Sequence, residues 1–204
     1  APSAKIKIIA NPVSKRSGPD AVWPTEPTVL FAGRFVAYKN LEMVIRVFDK
    51  VRQKFGRGRL ILIGDGPDKE KLADLVEELS SRESIQMLPK MNQEKLFEHI
   101  RAVTLGIGPA LTEFNPNFIL ECLSFGAPVL LSQGNGLTVQ LPEEFLFDPK
   151  NSDDWENKMA QFFDEEFNRR ARAKVAVLPL DQTWEKVIQA HLDLLENELF
   201  CFYY

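Results

Sequence analysis

A chain of 204 residues, 45% apolar and 26% charged with a formal net charge of −4, holds enough apolar material for a full core in one domain or slightly more. The mildly acidic balance without a basic block excludes the electrostatic footprint of a nucleic-acid binder, and two cysteines with two histidines suit neither a disulfide framework nor a zinc site. No uninterrupted apolar run approaches spanning length and no leader pattern opens the chain, so a cytoplasmic protein with reduced thiols at Cys122 and Cys201 is expected.

Residues 5–9 alternate as a strand does, and the Pro- and Gly-bearing stretch 11–27 reads as a linker. From Thr28 the pattern becomes regular. A buried-type strand at 28–32 ends in Gly33-Arg34, a short loop runs through Tyr38-Lys39-Asn40, and an amphipathic helix covers 41–55. A second unit follows, with a strand at 59–63, the turn Gly64-Asp65-Gly66-Pro67, and a helix at 69–81. The spacing then predicts a strand at 85–88, a helix at 92–101, a strand at 103–107, a helix at 118–125, a strand after Pro128 and a sixth at 145–147. Beyond Pro149 the pattern is helical: 153–163, a charged run at 164–174, and 184–199 with Thr183 as N-cap. Strands alternating with helices call for an α/β fold, a Rossmann-like parallel sheet with helices on both faces.

In such sheets ligands collect beyond the carboxyl ends of the strands. The residues at those ends are Gly33, Arg34 and Lys39, then Gly64 and Gly66, then Lys90 and Met91, then Glu113, Asn115, Pro116, Asn117 and Phe118. Two cations facing a helix N-terminus make a diphosphate site: Arg34 offers a fork of donors, Lys39 a point charge, and the free N–H groups near 117–119 complete it without a metal. Within the helix, Asn117, Glu121 and Ser124 form a narrow polar stripe at i, i+4 and i+7. Taken singly, Arg34 and Lys39 also read as solvated loop charges, Gly134-Asn135-Gly136 as a plain turn in preference to a loop near the ligand, His99 as structural, and Trp23, Trp155 and Trp184 as packing residues.

Glu113 and Glu121, with seven residues between them and followed by Cys122-Leu123-Ser124-Phe125-Gly126-Ala127-Pro128-Val129, resemble the E-x7-E signature of the retaining glycosyltransferases of the GT-B fold, family 4 (group 1). Phe114-Asn115-Pro116-Asn117 resembles the less common variant with Pro-Asn before the helix, where many members carry Gly-Phe-Gly. The resemblance extends to Val29-Leu30-Phe31-Ala32-Gly33-Arg34 with Lys39-Asn40, and to Leu60-Ile61-Leu62-Ile63-Gly64-Asp65-Gly66-Pro67. It implies that Arg34 and Lys39 hold the diphosphate of a UDP- or GDP-type nucleotide sugar and stabilise the leaving group. It also implies that Glu113 contacts sugar hydroxyls and that Glu121 accepts from the ribose hydroxyls. Pro89 departs from the Gly common in the family, which touches the base contacts near Lys90 and Met91.

The same resemblance implies three parts: a strand and inter-domain linker at 1–27, a nucleotide-sugar-binding domain at 28–178, and a crossing helix with an aromatic tail at 179–204. A GT-B enzyme places its acceptor on an N-terminal domain, so the expected activity is hexose transfer by a larger enzyme, with this chain inactive unless joined by that domain or subunit. No cofactor or metal is expected, and the aromatic tail suits a membrane surface as well as a protein edge. The alternatives are a non-catalytic nucleotide-sugar-binding or regulatory module, and a GT-B-fold nucleotide-sugar epimerase.

Overall fold

The computed structural model describes residues 9, 11–16, 23–114, 116–137 and 139–200, the last four by backbone alone. In chain order the elements are β1 (Val13–Ser14), β2 (Thr28–Arg34), α1 (Leu41–Phe55), β3 (Arg59–Asp65), α2 (Lys69–Glu77), β4 (Ile85–Leu88), α3 (Gln93–Arg101) and β5 (Leu105–Gly108). They continue with α4 (Asn117–Ser124), β6 (Val129–Ser132), β7 (Leu146–Phe147), α5 (Ser152–Gln161), α6 (Glu165–Ala176), β8 (Asp181–Gln182) and α7 (Trp184–Phe200). The strand expected at 5–9 lies outside the described residues except for Ile9, and so does the aromatic tail beyond Phe200.

Six strands form one parallel sheet in the order β4-β3-β2-β5-β6-β7. The chain steps outward from β2 through β3 to β4, then returns across β2 to place β5 on its other side. The crevice between β2 and β5 is therefore the topological switch point, where two loops diverge to opposite faces and leave room for a ligand. Continuous apolar runs such as Val29-Leu30-Phe31 and Leu60-Ile61-Leu62-Ile63 are buried because both faces of the sheet are covered. α1 packs on α2 and α5, and α3 packs on α4.

Two glycines on β5 set how closely α4 approaches. A Cβ at Gly106 would lie 2.6 Å from Cys122 Sγ, and one at Gly108 would lie 2.9 Å from Ile119 Cγ1 and 2.4 Å from Leu131 Cδ1. With hydrogen in those places α4 settles onto the sheet, and its first turn comes to the carboxyl ends of the strands. On the other side of β2, Gly33 and Gly64 of β3 pair in register, and a Cβ at Gly64 (φ +154°) would lie 1.9 Å from the Gly33 carbonyl oxygen. Farther out, buried Trp155 donates from Nε1 to the Asp148 carbonyl at 2.7 Å and packs edge-on to Phe147. Arg172 on α6 donates to the Val103 carbonyl at 2.6 Å, tying that helix to the entry of β5.

Several boundaries differ from expectation for identifiable reasons. The stretch 11–27 is not linker alone, since β1 within it pairs antiparallel with β8, Val13 opposite Gln182 and Ser14 opposite Asp181. Two-residue strands so far apart in the chain leave no periodic signal. The helix at 69–81 stops at Glu77, and Val103-Thr104 precede β5 rather than belonging to it. Trp184 is exposed at 65%, unlike the packed tryptophan expected there. Thr183 does cap α7, its Oγ1 accepting from the Lys186 N–H at 3.4 Å.

Candidate functional site

Arg34 stands at the end of β2, and the chain then makes a short 3-10 turn, Ala37–Lys39, before α1. Asn40, the hinge between turn and helix, takes a left-handed conformation at φ +52°, which asparagine tolerates better than most side chains. This hinge fixes the direction of Lys39. From the other side of the crevice, the chain leaves β5 through Pro109 and returns at α4; the Leu111 N–H donates to the Tyr38 carbonyl at 2.8 Å, stitching the two loops together.

The sequence-predicted residues gather in two adjoining concavities. An inner cavity of about 210 Å³ is walled by Lys39, Glu113, Pro116, Asn117 and Phe118, with Gly108 and Ile119 at its back. An outer cleft of about 770 Å³ is walled by Gly33, Arg34, Gly64, Gly66, Lys90, Met91 and Glu121. Asn117 and Phe118 border both. Asn115 lies outside the described residues. Arg34 and Lys39, read from the sequence as one clamp, thus stand on different walls, Arg34 on the outer cleft and Lys39 on the inner cavity.

Lys39, Glu113, Arg34 and Glu121 each have a definite partner. Lys39 Nζ forms an ion pair with Glu113, both side chains being largely buried at 17% and 21% exposure. Arg34 donates to the Tyr38 hydroxyl at 2.8 Å, and Lys39 Nζ lies 5.4 Å from the centre of the Tyr38 ring. Glu121 accepts from Gln93 Nε2 at 3.1 Å, and Asn117 Oδ1 accepts from Asn11 Nδ2 at 2.6 Å. No side chain caps the N-terminus of α4, whose cap position is Pro116. Its first N–H groups and the positive end of its dipole therefore face the concavities, an environment suited to an anion.

One contributor escaped the sequence reading, and a second was favoured there as a plain turn. Tyr38 touches both cations; its place immediately before Lys39 in a loop that follows a strand was the available signal. The turn at Gly134-Asn135-Gly136 does more than reverse the chain: the Gly136 N–H donates to the Glu113 carbonyl at 2.8 Å, and a Cβ there would lie 2.2 Å from the Phe114 carbonyl oxygen. It braces the backbone of Glu113. The polar stripe on α4 divides its work, since Asn117 and Glu121 also border a third hollow of about 600 Å³ reaching β1 and residues 182–185. Among the described residues no group of three or more His, Cys, Asp or Glu side chains converges as a metal site, and no helix is long and apolar enough to cross a membrane.

Comparison with known proteins bears on the family and the fold. A family model described as glycosyl transferases group 1 matches residues 19–176. The sulfoquinovosyl transferase of Arabidopsis thaliana is 27% identical over 159 residues, covering 75% of this chain and 30% of that protein. Among solved structures, a mutant of S. aureus TarM in complex with fondaparinux, alpha-GlcNAc-glycerol and UDP superposes with a TM-score of 0.73 at 18% identity, over 91% of this chain and 38% of that one. The sucrose-phosphate synthase of Thermosynechococcus elongatus gives 0.68 at 22% identity, over 87% and 46%. At these identities the likeness shows the fold, the Rossmann-like domain of GT-B glycosyltransferases. The chain spans 30% of the length of its plant relative and 33% of an archaeal glycosyltransferase from Methanocaldococcus jannaschii.

Proposed function

The chain belongs to the glycosyl transferases group 1 family, and from that premise we propose that it is the donor-binding, C-terminal domain of a retaining, family 4 glycosyltransferase that moves a hexose-type sugar from a nucleoside diphosphate. The observation that carries this is the convergence of Arg34, Lys39, Glu113 and the uncapped N-terminus of α4 at the β2/β5 switch point. Two cations and a helix dipole supply the charge for a diphosphate, so no metal is needed. The deep end, beside Glu113, takes the sugar; the outer cleft, with Glu121, Lys90 and Met91, takes the ribose and base. The UDP in the TarM complex supports a uridine nucleotide as the first candidate.

In the reaction the protein's part is binding and charge stabilisation. As the anomeric carbon–oxygen bond breaks, negative charge grows on the departing diphosphate, and Arg34, Lys39 and the α4 N–H groups are placed to stabilise it. Glu113 and Glu121 orient hydroxyls; neither is assigned as nucleophile. The acceptor and the exclusion of water come from an N-terminal partner domain, so this chain alone binds donor and transfers nothing. A thermal-shift screen against UDP-, GDP- and ADP-sugars tests the reading. One class should stabilise the chain, by about 2.7 kcal/mol at a hundredfold excess over Kd, and no response to any of the three would refute it.

A further inference from the structure

The two cations of the site are not equally available. Arg34 is held by a neutral hydroxyl, that of Tyr38, so its charge is free to meet a phosphate. Lys39 is held by a carboxylate. Both members of the Lys39–Glu113 pair line the inner cavity, and the backbone is fixed on each side: Lys39 by the left-handed Asn40 hinge, Glu113 by the bond from the Gly136 N–H. An anion entering this cavity meets a cation that is already neutralised, and it meets the neutralising carboxylate as a like charge.

Resting on the donor-site reading above, we infer that Glu113 is an internal competitor of the diphosphate for Lys39, and thereby a determinant of the preference for intact donor over the nucleoside diphosphate product. A nucleotide sugar completes an exchange: its phosphate takes Lys39, while its sugar hydroxyls donate to the released Glu113. A plain diphosphate takes Lys39 and gives Glu113 nothing in return, leaving a largely buried carboxylate without a partner. Product is disfavoured by the same pair that accommodates substrate.

The test is calorimetric titration of the 204-residue chain with UDP, with inorganic pyrophosphate, and with the UDP-sugar that gives the largest thermal shift. The variants are Glu113→Gln, Lys39→Met, the double variant, and Arg34→Met as a control on the site itself. Glu113→Gln should tighten UDP and pyrophosphate by about tenfold, the order of one displaced charge contact, and should shrink the preference for the sugar conjugate. Lys39→Met should cost several-fold more in the Glu113→Gln background than in the parent, because only there is Lys39 fully available; this non-additivity separates competition from simple repulsion. Unchanged or weaker UDP binding by Glu113→Gln, or strict additivity in the cycle, would overturn the inference while leaving the donor site standing. If the parent binds neither UDP nor pyrophosphate and Arg34→Met changes nothing, the donor-site reading fails and the inference falls with it.

Discussion

The guanidinium of Arg34 donates a hydrogen bond to the hydroxyl of Tyr38 at 2.8 Å, across the short loop that joins β2 to α1. Both side chains are exposed, so the bond serves orientation more than stability. Tyr38→Phe should leave the unfolding midpoint nearly unchanged and weaken UDP binding by the worth of one solvent-exposed orienting hydrogen bond, about 0.5–1.5 kcal/mol. Arg34→Met, which removes charged contacts, should cost about 1.5–3 kcal/mol. Isothermal titration of the two variants beside the parent checks both; equal effects would mean that Tyr38 contacts the ligand itself.

On the proposed reading, charge balance in the site comes from Arg34, Lys39 and the N-terminus of α4, so the nucleotide should bind in the absence of divalent cations. Titration in excess chelator should give the affinity found with magnesium, within about twofold on the scale where tenfold is 1.4 kcal/mol. Strict dependence on magnesium or manganese would show that the cations on the protein do not suffice.

Gly64 sits where no side chain fits. A Cβ there would meet the Gly33 carbonyl oxygen at 1.9 Å, a backbone atom of the neighbouring interior strand β2 that cannot move cheaply. Gly64→Ala should therefore destabilise the fold by about 2–4 kcal/mol. Gly126, at φ +72° with open space for 4 Å around the place a Cβ would take, isolates the conformational cost alone; its alanine variant should lose about 1–2 kcal/mol. Urea denaturation of both variants distinguishes the steric from the conformational contribution, and equal losses would contradict the distinction.

The architecture was legible because it is written in periodicity. Runs such as Leu60-Ile61-Leu62-Ile63 are buried on both faces and stay apolar throughout, and α1 begins and ends where its pattern does. The positions of the charged site residues followed from topology, since Arg34, Lys39 and Glu113 each come soon after a strand. Their pairing did not. That Lys39 turns inward to Glu113 while Arg34 turns outward to Tyr38 depends on a left-handed residue at Asn40 and on a brace from Gly136, neither of which has a periodic signature. The β1–β8 pairing was invisible for the same reason: two residues on each side, joined by nothing local.

Cys122 is fully buried against Gly106, and burial pushes its thiol pKa well above the usual value, with the charge of Glu121 adding in the same direction. In the folded chain it should resist alkylation at pH 8 and react only on unfolding, as peptide mapping after iodoacetamide treatment would show. Because the folded pKa is raised, the thiol's contribution to stability is complete below its unfolded pKa, about 8.5, and is lost as pH rises through the folded value. In a Cys201→Ser background, the alkaline decline in stability should be shallower for Cys122→Ala than for its parent. Rapid native labelling of Cys122 would contradict the packing of α4 on β5.

The central claim is that a nucleoside diphosphate lies in the β2/β5 crevice, and the measurement that tests it most directly is a crystal structure of the chain grown with UDP in chelator. The account predicts the diphosphate between Arg34, Lys39 and the first turn of α4, the ribose hydroxyls on Glu121, and Glu113 separated from Lys39. UDP bound elsewhere, for instance in the hollow between β1 and residues 182–185, or bound with the Lys39–Glu113 pair intact and Arg34 untouched, would contradict it.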